Sequence, residues 1–215
     1  MTRAATLYRL FVLLLAAFYA LRMLVFGDWS GFGGPFRYLT IWALFLSLFC
    51  AVAMYRLSTG RSTGRWDGLV AATAVINAMV VALFWRLYLA DPASVLRDGQ
   101  LGDWWIELYL HGAGPLLQWI DVLVVHRGFR RPLAGLAWLV GLVVGYLTWA
   151  EVVVGPMNAT PQGSVTSGLP YPFLNDLAFD GRMAFYVTNI GAGIVLLVLF
   201  TGLAWTLRRL VPRAP

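Results

Sequence analysis

The chain is poor in charged residues, and this scarcity limits the class of protein it can be. Only 12% of its 215 residues are charged, whereas soluble globular proteins carry about 25%. Hydrophobic residues make up 60% of the chain, and the mean hydropathy is +0.73. These values lie far outside the soluble range and are typical of proteins that bury apolar surface in lipid. We therefore predict an all-α, polytopic membrane protein.

Cysteine and histidine are also scarce, which excludes some kinds of site. The single cysteine, Cys50, rules out a disulfide within the chain. His111 and His126 are the only histidines, too few for a typical histidine-rich metal site, so we predict no metal and no cofactor. A membrane b-type cytochrome needs two facing axial histidines, and only His111 lies deep within an apolar run.

Six apolar runs are long enough to cross a bilayer, which takes about twenty helical residues. No internal repeat divides them, so residues 1–215 are predicted to form a single integral membrane domain, a bundle of six transmembrane helices. A cleaved signal peptide is not favoured for the first run, because it is long and more spans follow. The predicted helices are 7–26, 36–57, 68–90, 104–125, 133–153 and 184–207.

Lysine is absent, and the sixteen arginines are distributed unevenly. Eleven of them lie at one set of predicted helix ends, and six aspartates lie at the other set. The positive-inside rule then predicts that both termini are cytoplasmic. The positive charge is thus a topology signal that contacts anionic lipid headgroups, and we expect no nucleic-acid partner. We interpret the exclusive use of arginine as bacterial GC bias, which predicts the bacterial inner membrane; the oligomeric state stays open.

The fourth predicted span carries the polar residues that most need an explanation. Asp103, Glu107 and His111 are spaced four residues apart, so they share one face of a helix. Pro115 has no N–H, which leaves the His111 carbonyl free for another donor. Ionisable groups inside a membrane are costly and mark functional sites by default. Thr40 is expected about two turns below the outer face on the second span, at a depth similar to that of His111. Together, these polar residues predict a pocket that opens to the outer leaflet.

Each of these residues also has a simpler interpretation. The hydroxyl of Thr40 could return to the Phe36 carbonyl, as threonines in membrane helices usually do. Glu107 could be a solvated acid, and Asp121 is expected to pair with the basic loop 126–131. Three arginines are expected to extend their side chains to the lipid headgroups. They are Arg37, Arg86 and Arg182.

Five short motifs occur in order across the spans and resemble those of one known family. They are Gly33-Gly34-x-x-Arg37-Tyr38-Leu39-Thr40, Phe84-Trp85-x-x-Tyr88, Trp105 with His111 and Asp121, Gly145-Tyr146-x-x-Trp149, and Tyr171-Pro172-Phe173-Leu174. Together they resemble the androgen-induced and androgen-dependent TFPI-regulating proteins, which are multipass membrane proteins. The chain departs from the animal members, which have Asn-His at the positions of Glu107 and Leu108. The proline of the fourth span is also displaced by one residue.

The resemblance implies a threonine hydrolase that cleaves fatty acid esters of hydroxy fatty acids or similar lipids. It implies that Thr40 is the nucleophile and His111 the base. A hydroxyl reacts only when an adjacent base removes its proton, so these residues must meet across the second and fourth spans. Glu107 could orient the imidazole. The candidate donors to the oxyanion are Asn77, Trp85 and Arg86.

A transporter or lipid-binding membrane protein without catalysis is the alternative function. Such a protein also needs a polar pocket within a helical bundle. It does not need Thr40 and His111 to be in contact. The distance between these two side chains therefore distinguishes the alternatives.

Overall fold

The computed structural model describes residues 2–92, 95, 102–160 and 168–210, and every regular element within them is helical. Six of the helices are long and apolar enough to cross a membrane. The prediction of an all-α polytopic bundle with six spans is confirmed. These helices are α1 (Arg3–Phe26), α2 (Leu39–Ser58), α3 (Asp67–Ala90), α4 (Trp104–Val125), α5 (Pro132–Met157) and α6 (Phe179–Leu210).

Several helix ends differ from the predicted positions, because capping and loop contacts are not visible in hydropathy. Helix α1 begins four residues earlier than predicted, where the Thr2 hydroxyl accepts a hydrogen bond from the Ala5 N–H at 3.3 Å. Helix α5 continues to Met157 rather than ending at 153, and α6 begins at Phe179 rather than at 184.

The start of α2 is the difference that matters for function. Residues Gly34–Arg37, predicted to be its first turn, instead form a separate 3-10 turn. Gly33 precedes this turn with φ +87°, a left-handed conformation that glycine adopts without strain. Helix α2 therefore begins at Leu39, and Thr40 is its second residue rather than lying two turns inside it.

Helix α3 forms the centre of the bundle and contacts α2, α4, α5 and α6. In the most hydrophobic stretch of α3, 72% of the residues are buried inside the bundle. The corresponding value for α6 is 17%, so this helix lies mostly on the outside. Ala71, Ala72 and Ala74 have no exposed surface. Their small side chains let the neighbouring helices pack close to the α3 backbone.

The end of the bundle where α4 finishes is held by two buried polar clusters. Asp121 pairs with Arg9 of α1 at 2.9 Å, so the expected pairing with the loop 126–131 is wrong. The reason is that Asp121 points into the bundle, toward α1, and not along the chain toward the loop. His126 of that loop contacts Asp67 instead, with Nε2 and Oδ1 2.8 Å apart. Arg65 donates to the His126 carbonyl at 3.0 Å.

The three arginines expected to reach the lipid headgroups behave differently from one another. The Arg37 side chain is fully buried and pairs with Asp28 at 2.8 Å, so that expectation is wrong for Arg37. Arg182 pairs with Glu151 at 2.9 Å. Arg86 is exposed, as a headgroup-facing side chain must be.

Candidate active site

A cavity of about 440 Å³ lies at the end of the bundle where α2 begins. All six spanning helices contribute to its lining, together with the segment 170–174. Its size is within the usual range for small-molecule sites. Most of the lining is apolar, with side chains such as Met79, Leu83 and Leu87 of α3. The polar side chains that line it include Thr40, Glu107 and His111.

Thr40 and His111 lie next to each other in this cavity. The Thr40 Oγ1 and His111 Nε2 atoms are 3.5 Å apart, a long hydrogen bond across α2 and α4. This separation is within the range for a nucleophile and base without substrate. The structure thus brings together the two residues that the resemblance singled out.

The usual hydrogen bond of a membrane threonine to its own helix is blocked here. The carbonyl four residues before Thr40 is that of Phe36, which lies in the 3-10 turn. It accepts hydrogen bonds from the indole N–H groups of Trp42 and Trp149, both at 3.0 Å. The Phe36 carbonyl is therefore occupied, and the Thr40 hydroxyl faces His111.

His111 lies at a local distortion of α4. Residues Tyr109–Ala113 are π-helical, and His111 has the non-helical dihedrals φ −111° and ψ 16°. Such π-helical turns occur frequently at functional sites. Pro115 lacks the N–H that would normally bond the His111 carbonyl, and the indole N–H of Trp85 donates to that carbonyl at 3.0 Å. The distortion is thus stabilised from α3.

The imidazole ring of His111 is held on two sides. Phe84 stacks on it, with ring centroids 3.7 Å apart and planes within 5° of parallel. Glu107 Oε2 lies 3.0 Å from Nδ1, one helical turn away. The contact is close, although the N–H direction falls outside hydrogen-bond geometry. Only 7% of His111 is exposed, so these neighbours determine the orientation of its ring.

Tyr171 is a site residue to which the sequence reasoning assigned no role. Its hydroxyl accepts a hydrogen bond from the Leu39 N–H at 3.0 Å, at the start of α2. The same hydroxyl interacts with those of Thr40 and Tyr146. Burial raises the pKa of Tyr171 to about 12, so the phenol stays protonated at ordinary pH. The available signal was the Tyr171-Pro172-Phe173-Leu174 motif, which carried the resemblance.

The three residues predicted as oxyanion donors lie outside the cavity, and this corrects the sequence-based placement. The Asn77 amide donates to the Ser47 hydroxyl at 2.8 Å. The Trp85 indole is occupied by the His111 carbonyl, and Arg86 is exposed. Because residues along a helix differ by about 100° in direction, α3 turns Phe84 toward the cavity and its next two residues away.

Comparison with known proteins places the chain in a family. No curated protein and no solved structure matches it. The family model described as FAR-17a/AIG1-like protein matches residues 4–205. This match covers all six spanning helices nearly completely and agrees with the resemblance seen in the five motifs. The chain therefore belongs to the FAR-17a/AIG1-like family.

Proposed function

We propose that this protein is a membrane-embedded hydrolase of fatty acyl esters, with Thr40 as nucleophile and His111 as base. The observation that carries the proposal is the 3.5 Å separation of Thr40 Oγ1 and His111 Nε2 on the wall of a mostly apolar cavity. The substrates that fit are fatty acid esters of hydroxy fatty acids or similar lipids. Their acyl chains suit the apolar lining, and the ester group suits the polar residues.

The first half of the reaction transfers the acyl group to the enzyme. His111 Nε2 takes the Thr40 proton as Oγ1 attacks the ester carbonyl carbon. The electron pair of the carbonyl moves onto its oxygen and gives a tetrahedral oxyanion. When this pair returns, the bond to the alcohol oxygen breaks and the alcohol leaves with the proton from His111. The product is an acyl ester of Thr40.

The second half restores the enzyme with water as the nucleophile. His111 takes a proton from the water as the water oxygen attacks the acyl carbon. The tetrahedral intermediate then collapses, the bond to Thr40 breaks, and Oγ1 regains the proton from His111. The products are a free fatty acid and the original threonine.

Glu107 supports this cycle by orienting the imidazole. Its carboxylate lies beside Nδ1, at 3.0 Å, while Nε2 faces Thr40. A proton on Nδ1 leaves Nε2 as the acceptor that a general base requires. Glu107 does not take part in bond making, so its loss is expected to cost less than the loss of His111.

The charge distribution supports an orientation for the proposed enzyme. Arginines concentrate at the end of the bundle opposite the cavity, which the positive-inside rule assigns to the cytoplasm. The cavity then faces the outer leaflet of a bacterial inner membrane, from which amphiphilic esters enter. Membrane lipids and the lipid ester are the proposed partners.

A lipid carrier without catalysis is the competing function, and one experiment separates the two. The purified wild type, Thr40→Ala and His111→Ala are compared for fatty acid release from a long-chain ester and for labelling by a serine/threonine-hydrolase probe. Thr40→Ala is expected to abolish both signals, because it removes the nucleophile. His111→Ala is expected to lower turnover roughly 10²–10⁴-fold.

Two further variants complete the experiment. Thr40→Ser keeps the hydroxyl but frees the rotamer that the β-branch restricts, so partial activity is expected. Glu107→Ala is expected to reduce turnover less than His111→Ala does. Full hydrolysis by Thr40→Ala would rule out Thr40 as the nucleophile, whereas binding of the ester without hydrolysis by the wild type would favour the carrier.

A further inference from the structure

The tyrosine hydroxyl beside Thr40 has a position that suits a direct part in the reaction. Tyr171 Oη is 3.0 Å from the backbone nitrogen of Leu39, the residue before the proposed nucleophile. It also interacts with the Thr40 hydroxyl, and the Tyr171 ring lines the cavity. Its phenol therefore lies at the point where an ester carbonyl must approach Thr40.

In the resting site, the acceptors available to the Tyr171 proton are the neighbouring hydroxyl oxygens of Thr40 and Tyr146. A phenol can both accept and donate a hydrogen bond, and Tyr171 accepts from the Leu39 N–H. The neighbouring phenol, Tyr146, already donates its proton to the Arg37 carbonyl at 2.9 Å. Of these two adjacent hydroxyls, Tyr171 is therefore the one whose proton is not taken by a backbone carbonyl of the described residues, and it can turn from a hydroxyl oxygen to an oxygen that enters the cavity.

The location also suits negative charge. The oxyanion is bonded to the carbon that Thr40 Oγ1 attacks, so a donor within reach of Oγ1 is also within reach of the oxyanion. The first residues of α2 present the positive end of the helix dipole to the same point, which favours an anion there. Donors placed before the reaction begins stabilise such an intermediate without reorganisation.

We propose, on the basis of the hydrolase function above, that Tyr171 is the oxyanion donor of the site. When Thr40 attacks, the carbonyl electron pair moves onto oxygen, and the Tyr171 O–H donates a hydrogen bond to that oxygen. Tyr171 keeps its proton throughout, and the bond weakens again when the electron pair returns. The hydrogen bond from the Leu39 N–H fixes the phenol oxygen in position.

Tyr171→Phe tests this role, because it removes the donor and keeps the ring. Removal of one oxyanion donor is expected to lower kcat roughly 10²–10³-fold with little change in KM. A long-chain trifluoromethyl ketone, which forms a tetrahedral adduct with the nucleophile, is expected to lose affinity by a similar factor. A non-hydrolysable ether analogue of the substrate, which forms no oxyanion, is expected to bind as it does to the wild type.

Tyr8→Phe is the matched control. The Tyr8 hydroxyl donates to the Leu117 carbonyl at 2.6 Å and does not line the cavity. Its loss removes a comparable hydrogen bond and is expected to lower thermal stability without changing kcat. If Tyr171→Phe proves unstable, 3,5-difluorotyrosine at position 171 keeps the ring and hydroxyl but makes the phenol more acidic. Activity is then expected to fall at a lower alkaline pH than in the wild type.

The outcomes distinguish this inference from the proposed function. Unchanged kcat and adduct affinity in Tyr171→Phe, with hydrolysis still dependent on Thr40, would overturn the role of Tyr171 alone. A matching loss of ether binding would also overturn it, because the tyrosine would then shape the cavity only. If the fluorinated tyrosine does not change how activity falls at alkaline pH, the role of Tyr171 as a donor is likewise overturned. Hydrolysis that survives Thr40→Ala overturns the proposed function itself.

Discussion

The orientation of the Thr40 and His111 side chains depends on neighbouring side chains, which bind a competing acceptor or hold the imidazole ring. Two indoles saturate the Phe36 carbonyl, which would otherwise attract the threonine hydroxyl. Phe84 stacks on the imidazole, and Glu107 lies beside its other nitrogen. The chemistry assigned to the pair therefore rests on side chains that do not themselves react. A variant of any of these neighbours is expected to alter turnover more than substrate binding.

His126, at the opposite end of the bundle, provides a prediction about pH. Burial, followed by the nearby Arg65, lowers its pKa from 6.5 to about 4, although Asp67 acts in the opposite direction. The unfolded chain therefore binds a proton between these values that the folded protein excludes. This contribution to stability is complete above about pH 6.5 and is lost as pH falls toward 4.

Thermal unfolding in detergent at pH 7.5, 6.0 and 5.0 measures this effect. The wild type is expected to lose stability across the series, and His126→Gln, which has no titrating ring, is expected to lose less. An identical loss in both proteins would show that other groups cause the pH dependence.

At the scale of helices, the π-helical turn Tyr109–Ala113 of α4 is joined to α3 by a hydrogen bond from an indole as well as by the stacking of Phe84 on His111. Trp85 donates to the His111 carbonyl that Pro115 leaves without its usual donor. The conformation of this turn thus depends on Pro115, which follows it in α4, and on Trp85 of α3. The same two helices are linked again farther along, where Trp119 donates to the Ala74 carbonyl at 2.9 Å.

This pair of indoles allows a matched test of the distortion. Trp85→Phe leaves a buried carbonyl without its donor, which is expected to cost about 1–3 kcal/mol of stability. It is also expected to lower kcat roughly tenfold to a hundredfold, because His111 moves relative to Thr40. Trp119→Phe removes an equivalent link outside the cavity, so its effect is expected on stability only. Equal kcat values for the two variants would contradict a catalytic role for the distortion. Thermal unfolding and steady-state kinetics provide the two measurements.

At the scale of the whole molecule, the two ends of the bundle differ in the polar groups that they carry. The arginine-rich loops meet one another at one end, where Arg208 donates to the Gly128 carbonyl and Arg127 to the Arg208 carbonyl. The cavity lies at the other end, among the start of α2 and the segment 170–174. Positive charge and the proposed chemistry are thus at opposite ends of the molecule.

Reporter fusions test which end faces the cytoplasm. Fusions after Arg61 and Arg131 are expected to give a cytoplasmic signal, because both positions lie in arginine-rich loops. Fusions after Ser30 and Asp176 are expected to give an external signal. The reverse pattern would place the cavity at the cytoplasmic leaflet and exclude substrate entry from the outer one.

The sequence by itself determined the number of spans, the helical class and the helical hydrogen bond that the His111 carbonyl lacks. Hydropathy and the missing N–H of Pro115 are properties of a short stretch of chain, so they can be read locally. Only the tertiary structure decided that α2 begins at Leu39, that Asp121 pairs with Arg9, and which side chains of α3 reach the cavity. Tyr171 meets Leu39 across 132 residues of sequence. Such contacts depend on how each helix is rotated against its neighbours, and a local pattern of residues does not specify that rotation.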